Sequence, residues 1–321
     1  MKGTDISFSK KCLICGNDTN NHVYNVNERM INKGDSFHYL YCSQCKTLQL
    51  IDIIENVSDY YLSDYGPFNI HAMTRNVPKK LAALYIYIIS RISLTESVKL
   101  LYRRFSKSGV SNLYKTKINQ KTRILDVAAG NGTFAKQLKD LGIDDVKCID
   151  KYCLVPSYKD INFTNGEIFD VEGKYDLITF NHSFEHMSEP IKVLTKVKEL
   201  LSEEGLCLIR IPVSNSTAWN MYHENWYQID APRHFFLYSP DAMTKLCEKA
   251  GLYVEKVRYD SNPDQFYISE AYQKTNKSLY EIKNSSNILL SLKYAPKAFR
   301  SNRKGTGDQA CFYIRRKTHE R

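Results

Sequence analysis

Two histidines stand where a proton could be drawn from a bound hydroxyl. His186 closes the run Asn181-His182-Ser183-Phe184-Glu185-His186, and His234 lies in Asp230-Ala231-Pro232-Arg233-His234-Phe235. Imidazole titrates near neutral pH, so each is a candidate general base, with Glu185 shaping the same site. Arg233, beside His234, carries a planar fork of donors that suits a phosphate or carboxylate of a substrate. A second group of residues points to a metal. Cys12-x-x-Cys15 and Cys42-x-x-Cys45 are separated by 26 residues, and two such pairs supply four thiolates to one tetrahedral Zn²⁺. With every ligand drawn from protein, that ion is structural rather than catalytic.

The elements that must position these groups follow an alternating strand and helix grammar. Ile124, Leu125 and Val127 read as a buried strand that enters the turn Ala128-Ala129-Gly130-Asn131-Gly132 and opens a helix from Thr133 to Leu141. Short apolar runs recur at 146–149, ending in Asp150, and at 175–180. Three joints, around Gly142, Gly205 and Gly251, place glycine where a left-handed residue ends a helix before an apolar strand. Ser239-Pro240-Asp241 is a helix start, with serine as cap and proline at the first helical position. Between Asp150 and Ile161 only a short or irregular helix fits, because Pro156 interrupts it. The last strand is expected over 309–316, antiparallel to 252–259, with a helical insertion at about 267–298. Such alternation predicts an α/β fold built on a parallel, doubly wound sheet.

Asp126, Ala128, Gly130 and Gly132 fall at every second position. This pattern resembles motif I of the class I S-adenosylmethionine-dependent methyltransferases, with Ala128 in place of the first glycine. Three further stretches match in order: Asp150, Gly166-Glu167-Ile168, and Tyr175-Asp176-Leu177-Ile178 followed by Glu185-His186. The resemblance implies a Rossmann-like sheet of seven strands whose last hairpin is antiparallel, with S-adenosyl-L-methionine as cofactor. It implies that Asp126, Ala128, Gly130, Asn131, Gly132, Thr133 and Phe134 line the cofactor. It further implies that Asp150, with Lys151, receives both ribose hydroxyls, that Glu167 and Ile168 lie against the adenine, and that Asn181 and His182 flank the methionine.

The order of a four-cysteine segment, the linker Tyr60-Tyr61-Leu62-Ser63-Asp64-Tyr65 and the core is similar to bacterial methyltransferases of sugar and polysaccharide biosynthesis. That likeness implies His234 as the base and Tyr65 as a substrate contact. Arg233 stands where carbon-methylating members have glutamate, which shifts the expectation toward O-methylation.

Composition frames the rest. The 321 residues are 43% hydrophobic, enough for a large domain and a small one. The expected division is a zinc ribbon over 1–58, an aromatic and basic helical linker over 59–120, and the methyltransferase domain over 121–321. No stretch is apolar for the length of a membrane span, and the N-terminus lacks a signal peptide's apolar core, so a cytoplasmic protein is expected. Nine cysteines, an odd number, argue against a disulfide framework. Cys148, Cys153, Cys207, Cys247 and Cys311 are expected to be small buried apolar residues. The net charge of +10 suggests an anionic partner, such as a sugar nucleotide or glycan intermediate. Between Lys79 and Arg123 eleven basic residues face Glu96 alone. A solvated helix face, an anionic substrate, a membrane surface and a nucleic acid all remain open as its explanation. Two other functions stay open as well: a tRNA or rRNA methyltransferase, and a non-catalytic zinc-bearing interaction protein with a degenerate cofactor pocket.

Overall fold

The computed structural model describes residues 11–61, 112–113, 116–153, 156–285 and 288–317. Tyr65, most of the linker expected to be helical over 59–120 and most of the basic 79–123 stretch lie outside the described residues.

Two sheets organise the chain. The larger has seven strands in the order β10-β11-β8-β7-β4-β5-β6. These are β4 (Ile124–Val127), β5 (Val146–Asp150), β6 (Asn162–Asn165), β7 (Tyr175–Asn181), β8 (Leu201–Pro212), β10 (Leu252–Tyr259) and β11 (Gln309–Arg316). The five strands β8, β7, β4, β5 and β6 run parallel, and β11 inserts antiparallel between β8 and β10. This is the Rossmann-like arrangement with an antiparallel last hairpin. Ile124, Leu125, Leu177, Ile178, Phe180, Cys207 and Ile209 are fully buried, as expected of strands covered on both faces. Cys148, Cys153, Cys247 and Cys311 are buried too, and all nine cysteines are free thiols.

Helices α1 (Thr133–Asp140), α2 (Pro190–Leu200), α3 (Thr217–Tyr222) and α4 (Pro240–Lys249) connect or flank the strands. Ser239 caps α4 as its sequence predicts, its hydroxyl accepting from Ala242 N at 3.0 Å. Gly142 and Gly251 adopt φ of 83° and 73° at the ends of α1 and α4. Gly205 departs from that grammar: α2 ends at Leu200, and Gly205 lies inside β8. There the register against β7 jumps from Tyr175–Leu201 to Leu177–Leu206. A Cβ on Gly205 would sit 3.0 Å from the backbone of Ser202 and Tyr175, so glycine serves a bulge rather than a helix stop. The insertion between β10 and β11 comprises α5 (Asp264–Lys274), α6 (Leu279–Ser285) and α7 (Ile288–Arg303), starting earlier and ending later than the 267–298 expected. Among the described residues between β5 and β6 there is no helix. No described helix is long and apolar enough to cross a membrane.

The second sheet has four antiparallel strands in the order β1 (His22–Asn27), β2 (Ser36–Tyr41), β3 (Leu48–Leu50), β9 (Phe236–Leu237). Its first three strands belong to the cysteine-bearing N-terminal segment, whereas β9 follows His234. Leu48 pairs with Leu237 and Gln49 with Phe236. The two segments share one core as well, since Ile14, Leu40, Cys42 and Cys45 pack in the same cluster as Leu125, Phe180 and Tyr238. The 1–58 and 121–321 segments are thus separate in sequence but joined by a common sheet and a common core.

Candidate active site

The turn after β4 is built for close backbone approach. Ala128, Gly130 and Gly132 have φ of 52°, 56° and 80°, a region that glycine enters freely and alanine at a cost. A Cβ on Gly132 would fall 2.1 Å from Ile161 Cδ1, so a side chain there would have to displace that methyl group as well as bear the left-handed backbone. Asn131 turns its side-chain oxygen onto Thr133 N at 3.1 Å and Thr133 Oγ1 at 2.7 Å, holding the start of α1. Phe134 is partly buried against the cluster that includes Leu138 and Ile143.

Asp150 ends β5, and its carboxylate is largely engaged. Oδ2 accepts from Gly130 N at 2.8 Å, and Oδ1 accepts from Tyr152 N and Cys153 N, each at 2.8 Å. A carboxylate has about four lone-pair sites, so room remains for one further donor on Oδ2, not for two. The carboxylate thus ties the β4 turn to the β5 turn. Lys151 pairs with Glu167 at 2.7 Å across the same edge, both side chains exposed, while Ile168 is buried in the core.

Asp126 lies one strand turn below, its carboxyl accepting from Thr179 Oγ1 at 2.7 Å. Burial, reinforced by Asp150, pushes it up to about 7. Asn181, the last residue of β7, has a buried side-chain nitrogen that makes no well-formed hydrogen bond, its nearest acceptor being the Asp126 carboxyl that it helps hold down. A buried donor without a good partner costs on the order of 1–3 kcal/mol, which a polar atom of a bound cofactor would relieve. On these grounds the residues fit S-adenosyl-L-methionine. Asp126, the 128–134 turn, Asp150 and Asn181 would hold it, and its sulfonium would supply an electrophilic methyl group.

Beyond β7 the candidate catalytic residues converge. Glu185, His186 and His234 bring one ligand atom each within 4.8 Å of one another. The His186 and His234 rings lie 4.7 Å apart at 70°. His186 Nδ1 donates to the carbonyl of Arg233 at 2.7 Å, and His234 Nδ1 donates to the carbonyl of Gln228 at 2.9 Å. A carbonyl only accepts, so each Nδ1 carries the hydrogen and the His234 Nε2 lone pair is left bare. That Nε2 stands 3.9 Å from Glu185 Oε1 and 3.7 Å from Asp230 Oδ2.

Burial and the neighbouring His186 bring the His234 imidazole down to about 4, against the pull of Asp230 and Glu185, so it rests neutral. The Glu185 carboxylate is fully buried, and no hydrogen bond reaches either oxygen. The nearest donor to it, His182 Nδ1, is 3.5 Å away. Burial alone would raise Glu185, but His182, His186 and His234 outweigh it and hold it below the usual carboxylate range. His182 is oriented in turn by Arg210, whose Nη1 donates to His182 Nε2 at 2.6 Å while its Nε donates to Asp260 at 2.7 Å.

Arg233 does not meet a substrate. Its side chain is fully buried, with Nε and Nη2 on the Asp230 carboxylate at 3.0 and 2.5 Å, Nη1 on the Tyr60 carbonyl at 2.6 Å, and Glu28 at 3.6 Å. Burial works to raise the Asp230 carboxyl, and Arg233 overcomes it, holding Asp230 at about 2. A residue followed by a histidine in a loop looks exposed in sequence; here Glu28, distant in the chain, makes the arginine structural. Tyr61 was missed by the same limitation. Its hydroxyl lies 3.4 Å from His186 Nδ1, and its ring stacks on Tyr152 at 6.0 Å. The tyrosine-rich linker signalled an aromatic near the site, but Tyr61, rather than Tyr65, is the one described there.

Residues 98–257 match the family model described as a methyltransferase domain. The chain is an S-adenosylmethionine-dependent methyltransferase. No curated protein matches the methyltransferase in sequence. Among solved structures it is similar to a SAM dependent methyltransferase from Archaeoglobus fulgidus, at 17% identity over 73% of this chain and 99% of that one, with a TM-score of 0.44. It is also similar to 1,6-didemethyltoxoflavin-N1-methyltransferase of Burkholderia thailandensis, at 11% identity over 87% and 97%, with a TM-score of 0.39. For the mitomycin 7-O-methyltransferase MmcR the values are 12% identity and a TM-score of 0.40, and the methyltransferase spans 49% of that enzyme's length. Likenesses this distant leave the acceptor to be read from the site itself.

The N-terminal cysteines are gathered as well. Cys12 Sγ is 3.5 Å from Cys45 Sγ, Cys15 Sγ is 3.5 Å from Cys42 Sγ, and all four lie within 4.8 Å. Zinc–sulfur bonds of about 2.3 Å give a tetrahedron with edges of about 3.8 Å, so the four fit one Zn²⁺. Each pair sits in a turn closed by a backbone bond, Gly16 N to Cys12 O at 2.8 Å and Lys46 N to Cys42 O at 3.0 Å. His38 is engaged with Asp52 at 3.1 Å instead of the thiols.

Proposed function

We propose that this methyltransferase moves the methyl group of S-adenosylmethionine to an oxygen of a sugar or other anionic small-molecule or glycan intermediate, with His234 as general base. The observation that carries the reading is the orientation of His234, whose hydrogen is fixed on Gln228 and whose bare Nε2 faces Glu185 and Asp230. A proton accepted from a hydroxyl at Nε2 would arrive beside two carboxylates, which stabilise the imidazolium as it forms. Glu185, whose nearest donor is His182 Nδ1 at 3.5 Å, adds its charge to that stabilisation. His186, with its own Nδ1 fixed, shapes the wall opposite. The anionic character of the acceptor is supported by the net charge of +10 and no longer by Arg233. Nine free thiols suit a reducing, cytoplasmic setting. The four N-terminal cysteines hold a structural Zn²⁺ that anchors the segment carrying β9.

Incubation of the protein with isotope-labelled cofactor and a metabolite extract, followed by mass spectrometry, tests the reading. The expected product is a sugar or glycan intermediate with one labelled methyl on oxygen. Label found in RNA, or on carbon or nitrogen, would overturn it.

A further inference from the structure

The insertion between β10 and β11 carries a surface that methyl transfer does not use. Because β10 runs parallel to β8 and β11 antiparallel to both, the insertion joins them at the end of the sheet where β7 delivers Asn181 and Glu185. Its last helix, α7, presents Leu289, Leu292 and Phe299 to solvent at 69%, 54% and 37% exposure. Their helical spacing, with Pro296 between, sets them on one face, while Ala298 and Ser301 are buried on the other. Met221 of α3 is 44% exposed, its sulfur 3.0 Å from Lys297 Nζ.

The charge carried by α7 itself has one sign; the carboxylate that faces it is Glu270 of α5, which Lys274 engages and which accepts from the Tyr294 hydroxyl. From Ile282 to Gly307 the chain carries Lys283, Lys293, Lys297, Arg300, Arg303 and Lys304, and no aspartate or glutamate. Among the described residues no ion pair joins Lys293, Lys297, Arg300, Arg303 or Lys304 to a carboxylate. Some of these cations rest over rings instead: Lys293 at 5.0 Å from Tyr294, Lys297 at 4.4 Å from Phe266 and Arg303 at 5.9 Å from Phe299.

We propose that α7 docks the methyltransferase on an anionic phospholipid surface. Leu289, Leu292 and Phe299 enter the boundary between headgroups and acyl chains, and the long basic side chains reach the lipid phosphates from beside them. A nucleic acid would satisfy the cations but would leave two leucines in water, where they contribute nothing. At a bilayer each leucine strengthens binding on the order of tenfold, and each basic side chain about fivefold. The surface stands on its own geometry. Its consequence for the acceptor, that a lipid-attached glycan intermediate would meet the site from the side on which α7 lies, rests on the methyl-transfer reading.

The test is co-sedimentation of the full chain with phosphatidylcholine vesicles, with and without phosphatidylglycerol, alongside filter binding to RNA. Binding is expected to the anionic vesicles, to fall with added salt, and to drop at least tenfold in the double variant L289S/L292S and in K293E/R300E. Both pairs are on the solvent face, and unchanged circular dichroism and melting would verify that each variant is folded. Equal vesicle binding by parent and leucine variant, no vesicle binding by the parent, or RNA binding stronger than vesicle binding would each overturn the proposal. Methylation of a soluble acceptor by these variants should match the parent. Its loss in parent and variants alike would count against the methyl-transfer reading and leave the lipid surface untouched.

Discussion

The hydroxyl of Tyr39, on the cysteine-bearing sheet, donates a hydrogen bond of 2.8 Å to the backbone carbonyl of His234. Tyr39 is fully buried on β2, and beyond β3 its sheet ends in β9, which begins two residues after that histidine. Ser239 Oγ donates to the carbonyl of Cys45 at 2.6 Å, and Lys249 Nζ to that of Ile14 at 2.6 Å. The candidate metal site therefore sets the position of the candidate base.

Removal of the metal is expected to impair the chemical step more than cofactor binding. Metal analysis should find one zinc per chain, and Cys45→Ser or chelation should lower both the melting temperature and kcat, with the affinity for S-adenosylmethionine changed less than threefold, or roughly 0.6 kcal/mol. Zinc-free protein with full activity would sink this view.

Replacing His234 by asparagine should lower kcat by roughly 10²–10⁴-fold and leave cofactor affinity intact. Near-normal turnover would move the base to His186.

The pH profile carries a distinct signature. A base held down to about 4 stays neutral until the solution is well acidic. Activity governed by His234 is therefore present above that value and lost as pH falls through about 4, well below an ordinary histidine. An acid limb of kcat/KM near 6.5, in protein shown by circular dichroism to be folded, would contradict it. Stability moves in the same direction: the unfolded chain binds this proton at higher pH than the folded one, so stability declines as pH drops from about 6.5 toward 4.

Arg233→Met should unfold the protein rather than weaken substrate binding. It strips the partner from Asp230 and a neighbour from Glu28, and breaking one side of a buried pair costs about 3–5 kcal/mol. A stable variant with a raised KM would restore the arginine to the substrate.

Asp150→Ala should weaken cofactor binding by about 1.5–3 kcal/mol and also loosen the β4 turn, since Gly130 N, Tyr152 N and Cys153 N lose their acceptor. Calorimetry gives the first effect, and faster amide exchange at Gly130 in the cofactor-free protein gives the second.

Much of the fold was legible because local signals agreed with one another. Ile124–Val127 leads into a small-residue turn, Ser239 caps α4, and the 252–259 and 309–316 hairpin forms as read. Those are features of period, capping and turn chemistry, which a sequence displays. Gly205 misled because a bulge and a helix stop both ask for glycine. At the site, the convergence of Glu185, His186 and His234 followed from their places after strand ends. The fate of Arg233 did not, because Glu28 and the Tyr60 carbonyl reach it from the far end of the chain. Arg210 likewise reaches His182 only through the register that sets Asn181 opposite Arg210.

The pairing of Leu48 with Leu237 also has a consequence in time. During synthesis the N-terminal strands emerge long before β9 exists, so β3 waits with an open edge while almost the whole parallel sheet is still being made. The free edge of β3 is a template for pairing with other chains during that interval. Early capture of zinc by the four thiols would shorten the exposure by fixing the strands in register. A cell short of zinc would then lose this protein as aggregate on the ribosome's time scale, before any finished enzyme had been assembled.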